Sequence, residues 1–177
     1  MNTFKKQLLK KMALTCSALL ISTASSALES DYDKPIHITS DHQHAQMKKN
    51  LVIFTGDVIL TQGTIKLTGD KVTVTRSKIP NHETMEAKGK RATFYQLQDD
   101  GKPFNAKAHT IFYSVAKDKI TLTGNAEVKQ LDRKINGEKI VYFLTTEELI
   151  VDSGKAKAGK QKRVETVFLP PEDEKKK

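Results

Sequence analysis

Two stretches of the chain repeat each other at one constant offset. Thr55-Gly56-Asp57-Val58-Ile59-Leu60-Thr61-Gln62 returns as Thr123-Gly124-Asn125-Ala126-Glu127-Val128-Lys129-Gln130, 68 residues later. The same shift lays Gly69-Asp70-Lys71-Val72 over Gly137-Glu138-Lys139-Ile140. Two matches in one register mark a chain built by repeating a supersecondary block.

Period-two alternation says what the block is made of. Ile36-His37-Ile38, Val58-Ile59-Leu60, Ile65-Lys66-Leu67, Val72-Thr73-Val74, Ile120-Thr121-Leu122 and Lys139-Ile140-Val141-Tyr142 are short and rich in β-branched residues. Thr55-Gly56-Asp57, Gln62-Gly63, Thr68-Gly69-Asp70, Asp99-Asp100-Gly101, Thr123-Gly124-Asn125 and Asn136-Gly137 separate them. Asp100-Gly101 and Asn136-Gly137 suit tight hairpins, because both residue types tolerate positive φ. Residues 41–50 fit a helix or a strand. The fold class is all-β.

The repeat also assigns faces. Val58 aligns with Ala126 and Leu60 with Val128, whereas Ile59 aligns with Glu127 and must meet water in at least one copy. By the same parity Val52, Phe54, Leu67, Val72, Val74, Ile120, Leu122, Ile135, Ile140 and Tyr142 point inward, and a one-residue slip would expose the whole set. The chain is 37% apolar and has no Trp, so the interior is thin, as between two facing sheets. Periodicity alone is met most simply by a filled sandwich, and a space admitting a ligand is the sharper alternative.

The ends frame one domain. Lys5, Lys6, Lys10 and Lys11, an apolar run over 12–23, and Ser25-Ser26-Ala27 read as a secretory leader over 1–27, with the mature start near Leu28. The run is shorter than the roughly 20 residues that span a bilayer. Cys16, the one cysteine, lies inside the leader. A lipoprotein anchor would want leucine where Ala13 stands, so Cys16 is expected to leave with the leader, and a mature chain free of cysteine excludes a disulfide scaffold. Residues 28–169 make a domain of ordinary size, and 170–177, opening on Pro170-Pro171, are expected to be a disordered charged tail. Losing the four leader lysines takes the formal charge from +9 to +5, a mild excess with no helical or aromatic signature of nucleic-acid binding.

Several constellations imitate chemistry. Gly154-Lys155-Ala156-Lys157-Ala158-Gly159-Lys160 resembles a P-loop, but Gln161 stands where a Ser or Thr must hold Mg²⁺, and a strand-like segment follows. His42 and His44 share a strand face without further ligands spaced to complete a metal site. Ser40, Asp41 and His42 are strand neighbours whose side chains diverge and cannot relay a proton. No catalytic residue, cofactor or metal is expected. Lys88, Lys90 and Arg91, with Lys155, Lys157, Lys160, Lys162 and Arg163, suit lipid phosphates or plain solvent equally.

Asp33-Lys34-Pro35-Ile36-His37-Ile38-Thr39-Ser40-Asp41, the run from Phe54 to Lys66, and Gly89-Lys90-Arg91-Ala92-Thr93-Phe94-Tyr95-Gln96 resemble the LptA (OstA-like) family of periplasmic lipopolysaccharide-transport proteins. So do Ala116-Lys117-Asp118 and Leu122-Thr123-Gly124-Asn125-Ala126, and the likeness runs to about Leu169. The resemblance implies a twisted, open antiparallel β-jellyroll in the periplasm whose interior takes the acyl chains of lipopolysaccharide. It implies partners too: an LptC-like membrane-anchored jellyroll, the N-terminal periplasmic domain of an LptD-like outer-membrane protein, and further copies joined head to tail.

Resemblance and parity together nominate Ile36, Ile38, Phe94, Tyr113 and Val115 as lipid contacts. Val58, Leu60, Leu67, Val72, Leu122, Val128, Ile140 and Tyr142 follow as groove lining or core. Ile36, His37, Ile38 and Thr39, with Val164, Glu165, Thr166, Val167 and Phe168, are candidate edges for pairing between copies, since exposed strand edges invite another chain. The rival reading is a structural module that multimerises through those edges and holds no lipid.

Overall fold

The computed structural model describes residues 31–98, 100–130, 132–154 and 163–168. The expected leader (1–27), mature start, tail (170–177) and most of the P-loop-like run lie outside them. Ten strands form one antiparallel sheet: β1 Ile36–Thr39, β2 His42–Gln46, β3 Leu51–Gln62, β4 Ile65–Thr75, β5 Thr84–Leu97, β6 Pro103–Ser114, β7 Lys119–Gln130, β8 Arg133–Phe143, β9 Glu148–Asp152 and β10 Glu165–Phe168. Residues 41–50 resolve into β2 and a 3-10 turn, Met47–Lys49.

The 68-residue offset is structural. It maps the bounds of β3 onto β7, of β4 onto β8, and of the turn Met47–Lys49 onto Val115–Lys117. It also maps β1 and β2 together onto β6, which begins at Pro103 as its counterpart segment follows Pro35. Asn50 and Asp118, the residues after the two turns, both take left-handed backbone. The short polar side chains of Asn and Asp tolerate that conformation better than most.

The strands are longer than the sequence suggests. Thr55-Gly56-Asp57, Thr68-Gly69-Asp70 and Thr123-Gly124-Asn125 do not separate strands; they are irregularities inside β3, β4 and β7. Asn136-Gly137 forms no hairpin either, because β8 runs straight through it and Gly137 pairs with Ala126. Asp100-Gly101 does turn the chain between β5 and β6, with Gly101 at φ 77°. Glycine followed by Asp or Asn serves turns and bulges alike, since both need positive φ. Gly56 and Asp57 stand at φ 83° and 40°, Gly124 and Asn125 at 81° and 48°.

These irregularities line up. Register shifts fall between Thr55 and Val58, Thr68 and Lys71, Lys88 and Ala92, Lys107 and Thr110, and Thr123 and Ala126 on successive strands. Together they crease the sheet, so each long strand contributes to two facing layers. One layer comprises 58–62, 65–68, 92–97, 103–107, 126–130 and 133–137, flanked by β1 and β10. The other comprises 51–55, 71–75, 84–88, 110–114, 119–123 and 139–143, flanked by β2 and β9. The two sheets expected from the thin composition are thus one sheet folded upon itself.

A single apolar cluster fills the angle between the layers. Alanine is frequent beside the crease, where Val58, Val72, Ile111, Leu122 and Ile140 also lie. Ala87, Ala92, Ala108 and Ala126 sit beside the crease, where the walls converge. Phe94, Phe104, Tyr113 and Tyr142 lie farther out, where there is room for rings.

Candidate functional site

The sequence-nominated residues divide into two groups. Val58, Leu60, Leu67, Val72, Leu122, Val128, Ile140 and Tyr142 are all buried between the layers, as parity requires. Phe94 and Tyr113, expected on a lipid-accessible groove, are also closed off, each only 1% exposed. Their rings meet across the two layers at 5.9 Å between centroids, and Phe94 touches Phe104 edge-on at 6.2 Å. Phe104 stacks on Tyr142 at 4.2 Å. The middle of the interior is therefore plugged by the protein's own rings. Alternation gives the direction of a side chain but not whether the facing wall leaves it space.

Ile36, Ile38 and Val115 belong to the other group. Ile36 is 39% exposed, while Ile38 and Val115 are half-buried against the core. Away from the crease the layers part at a lip. At the β1 end this lip opens into a recess of about 320 Å³ lined by Ile36, Met85 and Val115, with Gln62, Arg76 and Glu83 around them. Lys34 and Asn81 complete the lining, so three apolar side chains share the recess with five polar ones.

Farther along, polar side chains span the lip. Gln98, buried in the loop after β5, donates from Nε2 to the Tyr142 hydroxyl at 2.6 Å and more weakly to Glu147 Oε1 at 3.4 Å. Its own oxygen accepts from Gln130 Nε2 at 2.7 Å. Burial, with the Glu147 carboxylate nearby, pushes the Tyr142 phenol up to about 12 against the Gln98 hydrogen bond. Sequence reasoning missed this cluster, together with Phe104 and Met85. One signal was present: both repeat copies end in glutamine, Gln62 and Gln130.

The edge candidates sit at the two ends of the strand order, β1 on β3 and β10 on β8. Val164 lies just before β10 and is exposed, as are Val167 and Phe168. On the outer face, Glu127 holds Arg91 at 3.2 Å and Lys134 at 3.1 Å, and Glu86 holds Lys88 at 2.6 Å. Part of the basic cluster is thus matched within the chain. His42 and His44 are exposed on β2, and no metal-holding group occurs among the described residues.

Comparison with known proteins bears on this geometry. The lipopolysaccharide export system protein LptA of Escherichia coli is 45% identical over 160 residues, 90% of this chain and 84% of that one. The protein of the same name from Haemophilus influenzae is 41% identical over 162 residues, covering 90% and 91%. The crystal structure of LptH, described as the LptA-homologous periplasmic component of the lipopolysaccharide transport device of Pseudomonas aeruginosa, superimposes with a TM-score of 0.71 at 30% identity. It covers 80% of this chain and 99% of that one, so the open creased sheet is that jellyroll. The family described as LptA/(LptD N-terminal domain) LPS transport protein matches residues 37–148. On these matches, the chain belongs to the LptA/LptD N-terminal domain family of lipopolysaccharide-transport proteins.

Proposed function

We propose that this protein is a periplasmic bridge that carries lipopolysaccharide from the inner to the outer membrane, shielding its acyl chains between the two layers. The observation that carries the reading is the apolar interior with its open recess beside Ile36 and Val115, in a chain of this family. A twelve-carbon chain gains on the order of 10 kcal/mol by leaving water. One aromatic pair contributes about 0.5–1.5 kcal/mol beyond its area. An incoming chain can therefore displace the Phe94–Tyr113 contact, with the layers opening about the crease. Apolar contact is non-directional, so chains can slide along the interior. Ile36, Ile38 and Val115 receive the chains first, and Phe94 and Tyr113 contact them once inside. The protein performs no catalysis; the energy comes from elsewhere.

The reading extends to the ends. The leader over 1–27 directs export and 28–169 forms the working domain. β1 and β10, at the ends of the strand order, pair with further copies, with an LptC-like jellyroll and with the N-terminal domain of an LptD-like protein. A head-to-tail contact is heterologous and need not close, so mass should rise stepwise with concentration. A strictly monomeric protein at high concentration removes self-association.

The rival is an edge-multimerising module without lipid, which the kinship to lipopolysaccharide export proteins does not favour. Photo-crosslinkers at Ile36, Phe94 and Tyr113 in living cells separate the two. Labelling of lipopolysaccharide supports the carrier, and labelling of protein alone at all three positions refutes it.

A further inference from the structure

On β3, β5 and β7 the last inward positions of the layer that carries β1 and β10 are glutamines, with Ile65 of β4 and Phe104 of β6 paired between them. Gln62 ends β3, Gln96 and Gln98 lie at and just beyond the end of β5, and Gln130 ends β7. Gln62 and Gln98 are 7% exposed. Four long amides lie between the greasy interior and water, two of them at equivalent places in the repeat. Strand-capping alone does not require this, since buried polar groups cost stability unless bonded.

Their present bonds differ in kind. Gln62 Nε2 donates to the Lys34 carbonyl at 3.2 Å, and Gln96 Nε2 to Asp31 Oδ2 at 3.1 Å. Gln98 and Gln130 bond each other, and Gln98 reaches across the lip to Tyr142. The Oε1 of Gln96 is buried without a hydrogen-bond partner among the described residues. Such an acceptor is open to a donor carried by a ligand.

Resting on the carrier reading above, we infer that this glutamine row is the binding site for the hydroxyl- and amide-bearing sugar backbone of the glycolipid. That backbone would ride the lip while its acyl chains lie inside. Glutamine offers donors and an acceptor without charge, as a backbone bearing both groups needs. Asp31 and Glu147 stand among the amides and favour hydrogen-bond donors there, while Lys34 and Arg76 lie beside Gln62 at the recess. Lys102, near Glu147, is itself held by Asp100 at 2.5 Å. Where the lip is spanned, the backbone exchanges the Gln98–Tyr142 bond for its own bonds and so passes without leaving a buried amide unpaired.

The test compares two ligands on the full mature chain. Gln96→Leu and Gln130→Leu are made singly and together, with Gln130→Asn as a milder change that keeps the amide. Circular dichroism and melting verify folding. Lipopolysaccharide and a diacyl phosphatidylglycerol, which has acyl chains but no sugar backbone, are titrated separately. The double variant should bind lipopolysaccharide about tenfold more weakly, as loss of two neutral hydrogen bonds implies, with phosphatidylglycerol unchanged. Gln130→Asn should fall between it and the parent. Unaltered lipopolysaccharide affinity in the folded variants overturns the inference and leaves the carrier standing, and so does equal weakening of both ligands. A parent protein that binds neither ligand refutes the carrier reading and takes the inference with it.

Discussion

Three glycines with almost the same backbone allow the crease to be tested against a plain turn. Gly56, Gly101 and Gly124 stand at φ 83°, 77° and 81°, so alanine pays a similar left-handed penalty at each, about 1–2 kcal/mol. A gain of roughly 0.4–1 kcal/mol from the stiffer unfolded chain offsets part of it. What differs is the space. A Cβ on Gly101 meets nothing within 4 Å, whereas one on Gly124 falls 2.9 Å from His109 Nδ1 and 3.1 Å from His109 Cβ. One on Gly56 falls 2.6 Å from Asp41 Cγ and 2.7 Å from Asp41 Cβ. His109 and Asp41 are themselves related by the 68-residue offset, so both copies of the crease are closed by the same contact. Overpacking adds roughly 1–3 kcal/mol. Gly101→Ala should therefore cost about 1 kcal/mol, Gly124→Ala about 2 and Gly56→Ala about 3, read by urea unfolding. In a domain of this size each kcal/mol lowers Tm by roughly 2–4 °C. His109→Ala should return part of the Gly124→Ala loss, because it removes the ring and leaves only the Cβ contact. If Gly101→Ala costs as much as Gly56→Ala, close packing at the crease is not what those glycines provide.

The remaining predictions concern the interior and the rival chemistry. The Tyr142 phenol is raised from 10.0 to about 12 by burial, so its unfolded form ionises first. Stability is intact below pH 10 and falls as pH rises toward 12; Tyr142→Phe should lessen that alkaline loss while costing about 1 kcal/mol at neutral pH, and an unchanged alkaline midpoint contradicts the assignment. Phe94→Ala, emptying a site between Phe104 and Tyr113, should cost about 3–5 kcal/mol in urea; a loss under about 1 kcal/mol would mean that the rings do not close the interior. Asp41→Ala with His42→Ala should leave lipopolysaccharide delivery intact in cells, and lost delivery from a folded protein would revive a catalytic role.

The repeat made the strand block and its inward face legible. Val58, Leu60, Leu67 and Val72 lie inside as alternation demands, and so do Leu122, Val128, Ile140 and Tyr142. The crease was written in the same residues but read as turns, because Gly56-Asp57 and a hairpin ask for the same positive φ. Only cross-strand pairing distinguishes them, and that is non-local. A subtler signal existed on β5, where the buried positions change from odd (Met85, Ala87) to even (Ala92, Phe94) across the irregularity. The plug of Phe94, Phe104, Tyr113 and Tyr142 could not be read, since it depends on how the facing walls share volume. The glutamine row was half visible, in Gln62 and Gln130 at matched places.

Consecutive strands from β3 to β8 are neighbours throughout the sheet, and each crosses the crease. Growth by one more 68-residue copy would add four strands to both walls together. At about 4.8 Å per strand, the trough would lengthen by roughly 19 Å without either end being rebuilt. Reach, in an architecture of this sort, is a matter of counting copies, and evolution can adjust it by duplication or deletion alone.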